Sequence, residues 1–265
     1  MTEILLDTHC HLDAYPNPSQ VLATARSAGV TLVAVTNTPD DYRRLATLLP
    51  RSGPARPALG LHPLRANRLG MGGVLSFSRQ ASGASWIGEI GLDFSRAARD
   101  TRDVQLRVFD ALLAMPQLRD RPVTVHTRRA ERIAVQRLTE AGTKAVLHWY
   151  TGPLSVADDA LSAGMYFSIN PAMTTSSKGR VLLARLPRDR VLLETDGPYS
   201  RRQGQISQPT DLAALIDDLA ELWEISFVQA HACICDNQRR VTARSPVQGS
   251  DPIAWPGHGV QNDSK

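Results

Sequence analysis

The sequence predicts a single-domain (β/α)8 TIM barrel of the α/β class, and three observations support this fold. Eight short apolar runs, several rich in β-branched residues, are typical of buried strands. Amphipathic stretches separate the runs, and a regular alternation of strands and helices favours a parallel sheet. The length of 265 residues suits a barrel, which typically needs about 250. An open, doubly wound parallel sheet is the alternative.

The predicted elements follow one another along most of the chain. Strands are predicted over residues 4–8, 30–36, 57–61, 86–91, 122–126, 144–148, 165–169 and 190–195. Apolar residues at helical spacing predict helices over 103–115, 128–141 and 210–223. Thr210 can cap the last of these helices, and we expect its apolar stripe to pack on the barrel wall.

We predict one barrel domain over residues 1–243 and a poorly ordered C-terminal tail over 244–265. The tail is polar, contains serine, proline and glycine, and shows no apolar period. No apolar run approaches the 18 or so residues of a membrane span, and MTEILLDTH is not typical of a secretory signal. Three cysteines, Cys10, Cys233 and Cys235, are too few for a disulfide framework. These features favour a cytoplasmic protein without a membrane partner.

Arginine dominates the basic residues of the chain. The formal net charge is +4, and only three of the 30 basic residues are lysines. Residues 178–202 hold seven basic side chains against three acidic ones. The guanidinium fork matches phosphate geometry, so the pattern favours a polyanionic substrate, although a GC-rich genome also explains frequent arginine.

Five of the seven histidines lie at or just after the end of a predicted strand. His9 and His11 are two residues apart at the end of the first strand, so their imidazoles point to the same side. His62, His126 and His148 follow the third, fifth and sixth strands. Because the C-terminal strand ends of a barrel form one ring, we expect these side chains to converge there.

Two carboxylates complete this predicted ring of polar residues. Glu89 lies near the end of the fourth strand and Asp196 follows the eighth. Histidine and carboxylate ligands without thiolates suit divalent Zn, Mn or Mg. Glu89 is placed to bridge two ions, which can clamp the attacking and leaving oxygens of a displacement. Asp196 is a candidate metal ligand and proton acceptor.

Six segments in this region carry a family resemblance: DTHCHLD, ALGLHP, IGEIGLD, VHTRRA, LHWYTG and ETDGPY. In order and spacing they resemble the motifs of the TatD-type metal-dependent deoxyribonucleases of the amidohydrolase superfamily, over residues 1 to about 240. The resemblance implies one or two divalent metal ions and DNA as the substrate, especially single strands or DNA ends. It also implies catalytic roles for Glu89 and Asp196 and a place for His62 against substrate phosphate. The metal ligands carried over by motif are His9, His11, Glu89, His126, His148 and Asp196.

A narrower resemblance concerns the segments LDAYPNP, AVTNTP, FSINPAM, SKGR and LPRDRVLLETDGPY. They are similar to the TatD-like nuclease of the Qat anti-phage defence systems, which implies antiviral defence and Qat proteins as partners. HWYTG, FSINPAM and the Gln-Pro pair at 208–209 depart from the wider family's usual pattern. These departures affect the substrate rim of the site.

Two further groups of residues have weaker signals. Arg201 and Arg202 follow the last strand on the expected site face, so they are candidates for phosphate contacts or simply solvated loop residues. His231, Cys233 and Cys235 lack a fourth ligand, and we interpret them as part of a partly buried helix rather than a zinc site.

Three functions follow from these patterns. The leading prediction is a metal-dependent hydrolase of nucleic-acid phosphodiester bonds, with metal-activated water as the nucleophile. A small-molecule amidohydrolase is the second. Relatives of that kind often bridge their metals with a carboxylated lysine on the fourth strand, where this chain has Glu89. The third is a non-catalytic scaffold subunit of a defence complex.

Overall fold

The computed structural model describes residues 4–50 and 52–243, and its strands confirm the predicted series. The predicted tail, 244–265, lies outside the described residues. The eight barrel strands are β1 (Leu5–Cys10), β2 (Val30–Val35), β3 (Ala55–Ala58), β4 (Ile87–Gly91), β5 (Val123–His126), β6 (Ala145–His148), β7 (Tyr166–Ile169) and β8 (Val191–Leu193).

Helices follow the strands and cover the outside of the barrel. They are α1 (Pro18–Ser27), α2 (Pro39–Leu48), α3 (Pro63–Ala81), α4 (Arg102–Leu113), α5 (Glu131–Ala141), α6 (Leu154–Ser162), α7 (Pro171–Thr175), α8 (Ser177–Arg185), α9 (Asp211–Trp223) and α10 (Phe227–Thr242). The three predicted helices correspond to α4, α5 and α9. The apolar stripe of α9 is buried, as its period predicts. The prediction that Thr210 caps this helix is wrong, because its side chain makes no capping hydrogen bond. A short antiparallel hairpin, β9 (Arg201–Arg202) and β10 (Gln205–Ile206), was not predicted.

Parallel pairing runs through two arcs, β1 to β3 and β4 to β8, which together form the (β/α)8 barrel. Leu59, just after β3, bridges to Ile87 of β4 and joins one end of the arcs. At the other end, the Thr8 hydroxyl donates to the carbonyl oxygen of Leu193 at 2.9 Å. The Asp196 backbone N–H donates to the carbonyl oxygen of His9 at 2.8 Å. The loops after β8 and β1 are thereby held together.

The apolar core has two parts. The larger part lies between the strands and the helices, and the smaller one consists of residues from alternating strand positions. That smaller cluster contains Leu6, Val33, Val35, Ala58, Trp86, Val146 and Leu192. The Trp86 indole within it donates to the Thr124 hydroxyl at 2.8 Å. A packed interior is typical of this barrel, and functional residues lie at its C-terminal mouth.

The cysteines have the structural positions expected from the sequence. Cys10 is fully buried in the larger core. Cys233 and Cys235 lie on α10, where the Cys235 sulfur is 3.6 Å from Nδ1 of His231. Cys233 contacts the carbonyl oxygen of Arg188 instead. Within the part of the chain that the structure describes, no helix has the length and apolarity needed to cross a bilayer.

Candidate metal centre

The barrel brings seven of the predicted site residues together at its C-terminal mouth. They come from strand ends and from the first residues of the following loops, because neighbouring parallel strands place these positions in one ring. The converging residues are His9, His11, His62, Glu89, His126, His148 and Asp196.

A first donor set lies between β1 and the loop after β8. The Nε2 atoms of His9 and His11 are 3.1 Å apart. Oδ1 of Asp196 is 3.5 Å from each of them. Oε2 of Glu89 lies 3.7 Å from Nε2 of His9 and 3.5 Å from Nε2 of His11. The two imidazole nitrogens therefore have a carboxylate oxygen of Asp196 and one of Glu89 within 3.7 Å.

The spacing of this first set fits a divalent ion. Ligand atoms bound about 2.0–2.2 Å from one ion lie roughly 3.0–3.5 Å from one another. The observed separations of 3.1–3.7 Å are close to that range. The Nδ1 atoms of His9 and His11 are buried without a hydrogen bond among the described residues, so the polar contacts of these two rings are made by Nε2. Nitrogen and carboxylate donors suit zinc or manganese.

A second donor set uses the other oxygen of the same carboxylate. Oε1 of Glu89 is 2.8 Å from Nδ1 of His126 and 3.3 Å from Nε2 of His148. Nε2 of His62 lies 3.4 Å from this oxygen. Its Nδ1 accepts a hydrogen bond from the backbone N–H of Leu64, at the start of α3. Glu89 therefore contributes one oxygen to each set, the arrangement needed to bridge two ions.

Further carboxylates orient the histidine rings from outside the two sets. Oδ2 of Asp93 is 3.1 Å from Nε2 of His126. Oε1 of Glu194 is 3.3 Å from Nδ1 of His148. Outer partners of this kind fix the orientation of metal-binding imidazoles. Sequence reasoning missed Asp93 and Glu194, although both lie beside predicted ligands, in IGEIGLD and LLETDGP.

The electrostatics of the second set favour an ionised Glu89. Burial acts to raise the pKa of this carboxyl, but the charge of His62 and hydrogen bonds from His126 and His148 hold it well below its usual value. Burial acts to lower the pKa of His148, yet Glu194 and Glu89 raise it well above its usual value. These two shifts favour a carboxylate at Glu89 beside a protonated His148 imidazole, whose positive charge a bound cation would replace.

In the first donor set, burial has the larger effect on the pKa values, so the neutral forms of the side chains are favoured. Burial lowers the pKa of His9 well below its usual value and that of His11 to about 4. Both rings are therefore neutral near pH 7, the form that binds metal. Burial raises the pKa of Asp196 well above its usual value.

Asp196 of the first donor set and two residues in the loops after β5 and β6 have left-handed backbone conformations. Asp196 has φ 47°, Trp149 has φ 38° and Arg129 has φ 58°. Positive φ is unusual for residues other than glycine and is concentrated at functional sites, where the surrounding structure enforces it. The loops after β5, β6 and β8 therefore hold constrained conformations next to the ligands.

The remaining two predicted site residues, Arg201 and Arg202, do not join the donor sets. Both lie in the hairpin after β8. The guanidinium of Arg202 makes two hydrogen bonds to Asp218 of α9, at 2.8 and 3.2 Å. Arg201 is exposed and donates to the carbonyl oxygen of Gly204 at 2.9 Å.

The donor sets lie in a cleft with a volume of about 650 Å³. That volume falls within the usual range of small-ligand sites, roughly 300–1,000 Å³. Its lining includes Asn37, Arg65, Arg128, Trp149 and Tyr199, besides most of the donor residues. The fold and the site together define a barrel protein of the metal-dependent hydrolase class.

The chain belongs to the TatD related DNase family, whose model matches residues 6–243. It is 31% identical over 245 residues to the human deoxyribonuclease TATDN3, which covers 84% of this chain and 88% of that protein. It is 37% identical over 191 residues to the 3′-5′ ssDNA/RNA exonuclease TatD of Dickeya dadantii, covering 68% of this chain and 72% of that one.

A solved structure shows the same architecture. The crystal structure of YJJV, a TatD homologue from Escherichia coli, superimposes with a TM-score of 0.81 at 26% sequence identity. The match covers 91% of this chain and 98% of the other. The single-domain barrel predicted from the sequence is therefore confirmed as the fold of this family.

Proposed function

We propose that the protein is a divalent-metal-dependent deoxyribonuclease that hydrolyses phosphodiester bonds in the cleft. The observation that carries this proposal is the sharing of Glu89 between two donor sets, because this arrangement suits a pair of ions on one phosphate. We assign metal binding to His9, His11, Glu89, His126, His148 and Asp196.

Divalent ions bound there would supply Lewis acidity, neutralise phosphate charge and lower the pKa of a water molecule. In hydrolysis, the water oxygen forms a bond to phosphorus and the bond from phosphorus to the leaving sugar oxygen breaks. Asp196 accepts the proton of the attacking water, and the leaving oxygen takes up a proton from solvent. Burial of Asp196 raises the pKa of its carboxyl, which makes its ionised form a better proton acceptor. His62 lines the cleft, and we assign it a contact with the substrate phosphate.

DNA is the proposed substrate, as single strands or as DNA ends. The names of the human and Dickeya relatives, a deoxyribonuclease and a single-strand exonuclease, support this choice. An aromatic and arginine-containing cleft wall is also suited to an unpaired polyanion.

End-labelled DNA tests the proposal directly. Purified protein is incubated with single- and double-stranded DNA labelled at the 3′ or the 5′ end, with Mg²⁺, Mn²⁺, Zn²⁺ or EDTA. We expect metal-dependent cleavage that EDTA abolishes, and the label position distinguishes exonuclease from endonuclease products. Cleavage that persists in EDTA, or none with any of the three metals, would contradict the proposal.

We further propose a role in anti-phage defence, alongside Qat partner proteins in the cytoplasm. The segments LDAYPNP, FSINPAM and SKGR support this narrower assignment, and the three free cysteines are consistent with a reducing compartment. Phage plating on cells that carry the complete defence operon tests it. Replacement of the wild-type gene by the Asp196→Asn gene is expected to remove protection, and full protection would contradict the role.

Arg201 and Arg202 remain predicted phosphate contacts at the rim. A substrate phosphate would compete with Asp218 for the guanidinium of Arg202. Replacing both arginines by alanine is expected to flatten the slope of log affinity against log salt by roughly 1.4 on single strands. An unchanged slope in binding titrations would assign both residues to the structure of the hairpin.

A further inference from the structure

The cleft contains aromatic and basic side chains that the metal chemistry does not use. Trp149 follows the ligand His148, and Arg128 lies in the neighbouring loop after β5. Arg65 lies in the first turn of α3, on the other side of the donor sets. Tyr199 contributes a second aromatic ring from the loop after β8. The question is what these side chains can bind.

Trp149 is held in a fixed position beside the metal centre. Its backbone N–H donates to Oε1 of Glu194 at 3.1 Å, and the same oxygen contacts Nδ1 of His148. The residue has φ 38°, a conformation that is rare for a bulky side chain. Its side chain packs against the core on one side and lines the cleft on the other. The carboxylate that orients a ligand therefore also places an indole ring in the cleft wall.

Arg65 and Arg128 differ from the arginines of the hairpin in their partners. Both are exposed, and neither has an ion pair with a carboxylate within residues 4–50 and 52–243. Arg202, by contrast, is paired with Asp218. Burial raises the pKa of the Tyr199 hydroxyl, and the charge of Arg65 opposes that shift, so Arg65 lies near this wall. Two unpaired guanidinium groups therefore border the cleft at separate points.

We propose that Trp149 stacks on an unpaired base of the substrate while Arg65 and Arg128 bind phosphates on either side of the metal centre. This inference rests on the proposed function, since it assigns substrate contacts in the same cleft. Indole rings stack on any base, and guanidinium groups bind backbone phosphate without reading sequence. A base can reach Trp149 only when it is not paired, so the reacting end of the substrate is single-stranded.

Binding of a fluorescent oligothymidylate to the Asp196→Asn protein measures the stacking without cleavage. The second probe is the same strand with an abasic site at the reacting nucleotide. Trp149→Ala is expected to weaken binding of the intact strand roughly fivefold to a hundredfold. Its effect on the abasic strand is expected to be within about twofold, because the stacked base is already missing. Trp149→Phe keeps an aromatic face and is expected to restore most of the affinity.

The arginines are tested by the salt dependence of the same titration. Arg65→Ala and Arg128→Ala are each expected to flatten the slope of log affinity against log salt by about 0.7. Arg79→Ala is the matched control, because Arg79 is also exposed on α3 but lies in its last turn, away from the cleft. The control removes the same charge and is expected to leave the slope nearly unchanged.

Equal weakening of both strands by Trp149→Ala would show a structural role and overturn the stacking proposal. Unchanged slopes in both arginine variants would overturn the phosphate contacts. Normal DNA cleavage by a Trp149→Ala enzyme of unaltered affinity would refute this inference and leave the nuclease assignment intact. Conversely, base-dependent binding through Trp149 by a wild-type protein that cuts no DNA would support the inference and refute the proposed hydrolysis.

Discussion

At the scale of single residues, Glu89 has the most contacts with the other predicted ligands. One of its oxygens faces His9 and His11, and the other faces His126 and His148. It is almost fully buried, so its negative charge depends on these neighbours. Removing this carboxylate therefore affects both donor sets at once.

Glu89→Ala is therefore expected to lose most of the metal that the wild-type protein retains after mild purification. Elemental analysis of the two proteins measures the difference. Glu221→Ala, a replacement of an exposed glutamate on α9, is the control and is expected to keep wild-type metal content. Full occupancy in both Glu89→Ala and His11→Ala would exclude the proposed centre.

The Asp196→Asn variant distinguishes the role of Asp196 in proton transfer from its role in folding. Asparagine also tolerates the left-handed conformation that Asp196 adopts, at φ 47°, so the fold is expected to persist. The amide cannot accept the proton of water, and loss of general-base catalysis typically slows a reaction about 10²–10⁴-fold. Single-turnover cleavage of labelled DNA, together with circular dichroism, checks both statements. Cleavage at the wild-type rate would remove Asp196 from its proposed role.

Glu194 acts one step further out, through the ligand that it orients. Its carboxylate is fully buried and accepts hydrogen bonds from the Trp149 N–H, the Asn170 amide and the Ser168 hydroxyl, as well as contacting His148. In Glu194→Gln, the new amide NH2 group would face the hydrogen-bond donors that the carboxylate now accepts from. We expect metal affinity to fall about 10–100-fold, as found for other outer partners of metal ligands.

Metal titration with a competing chelator measures the change in affinity for Glu194→Gln. Gln136→Glu is the control: it makes the reverse replacement on the exposed face of α5, away from the donor sets, and is expected to leave metal affinity unchanged. An unaltered affinity in Glu194→Gln would show that His148 is oriented by packing alone.

At the scale of elements, the close approach of β4 to β5 depends on a glycine. Gly91 has φ 136°, and a Cβ added there would lie 2.1 Å from the carbonyl oxygen of His126. No larger side chain can occupy this position unless the backbone at the end of β5 moves.

Gly91→Ala is expected to destabilise the fold by at least about 1–3 kcal/mol, because it combines backbone strain with a steric clash. Gly142→Ala is the matched comparison, since Gly142 has φ 65° but open space where its Cβ would be. That variant is expected to lose about 1–2 kcal/mol, from backbone strain alone. Urea unfolding curves give both values. A smaller loss for Gly91→Ala than for Gly142→Ala would contradict the steric argument.

At the scale of the whole molecule, we expect metal binding and folding to be coupled. The proposed ligands come from β1, β4, β5, β6 and the loops after β1 and β8, so an ion bound there would hold together segments from both arcs of the barrel. An ion that binds only the folded state stabilises it by about 2.7 kcal/mol at a concentration 100 times its dissociation constant. Without metal, burial of the ligand side chains costs free energy and lowers the stability of the barrel.

Adding Mn²⁺ or Zn²⁺ to the chelated protein is therefore expected to raise its melting temperature by several degrees, as about 2–4 °C accompanies each kcal/mol in a protein of this size. Differential scanning calorimetry measures the shift. The Glu89→Ala protein is expected to show little or no shift under the same conditions. An equal shift in both proteins would place the stabilising ion elsewhere.

The eight strands and the helices α4, α5 and α9 were predictable because each shows a recognisable apolar pattern in the sequence, whereas the longer helices α3 and α10 were not predicted from a period. A buried strand is a continuous apolar run and an amphipathic helix repeats every 3.6 residues. The β9 and β10 hairpin has strands of two residues, which are too short to show any period. Its contacts are instead with segments elsewhere in the chain, including the hydrogen bonds of Arg202 to Asp218 and the one that the Tyr15 hydroxyl donates to the carbonyl oxygen of Ser207, just after β10.

The convergence of the candidate metal ligands was predictable for a different reason. Parallel strands bring their carboxyl ends to one edge, so polar residues that follow several strands must meet there. Sequence alone therefore determined the barrel and the set of side chains at its mouth. Only the tertiary structure decided that Glu89 divides its oxygens between two sets and that Asp93 and Glu194 support the histidines. It also decided that Arg202 faces a carboxylate while Arg65 borders the cleft, because such pairings depend on distances between segments that are remote in sequence.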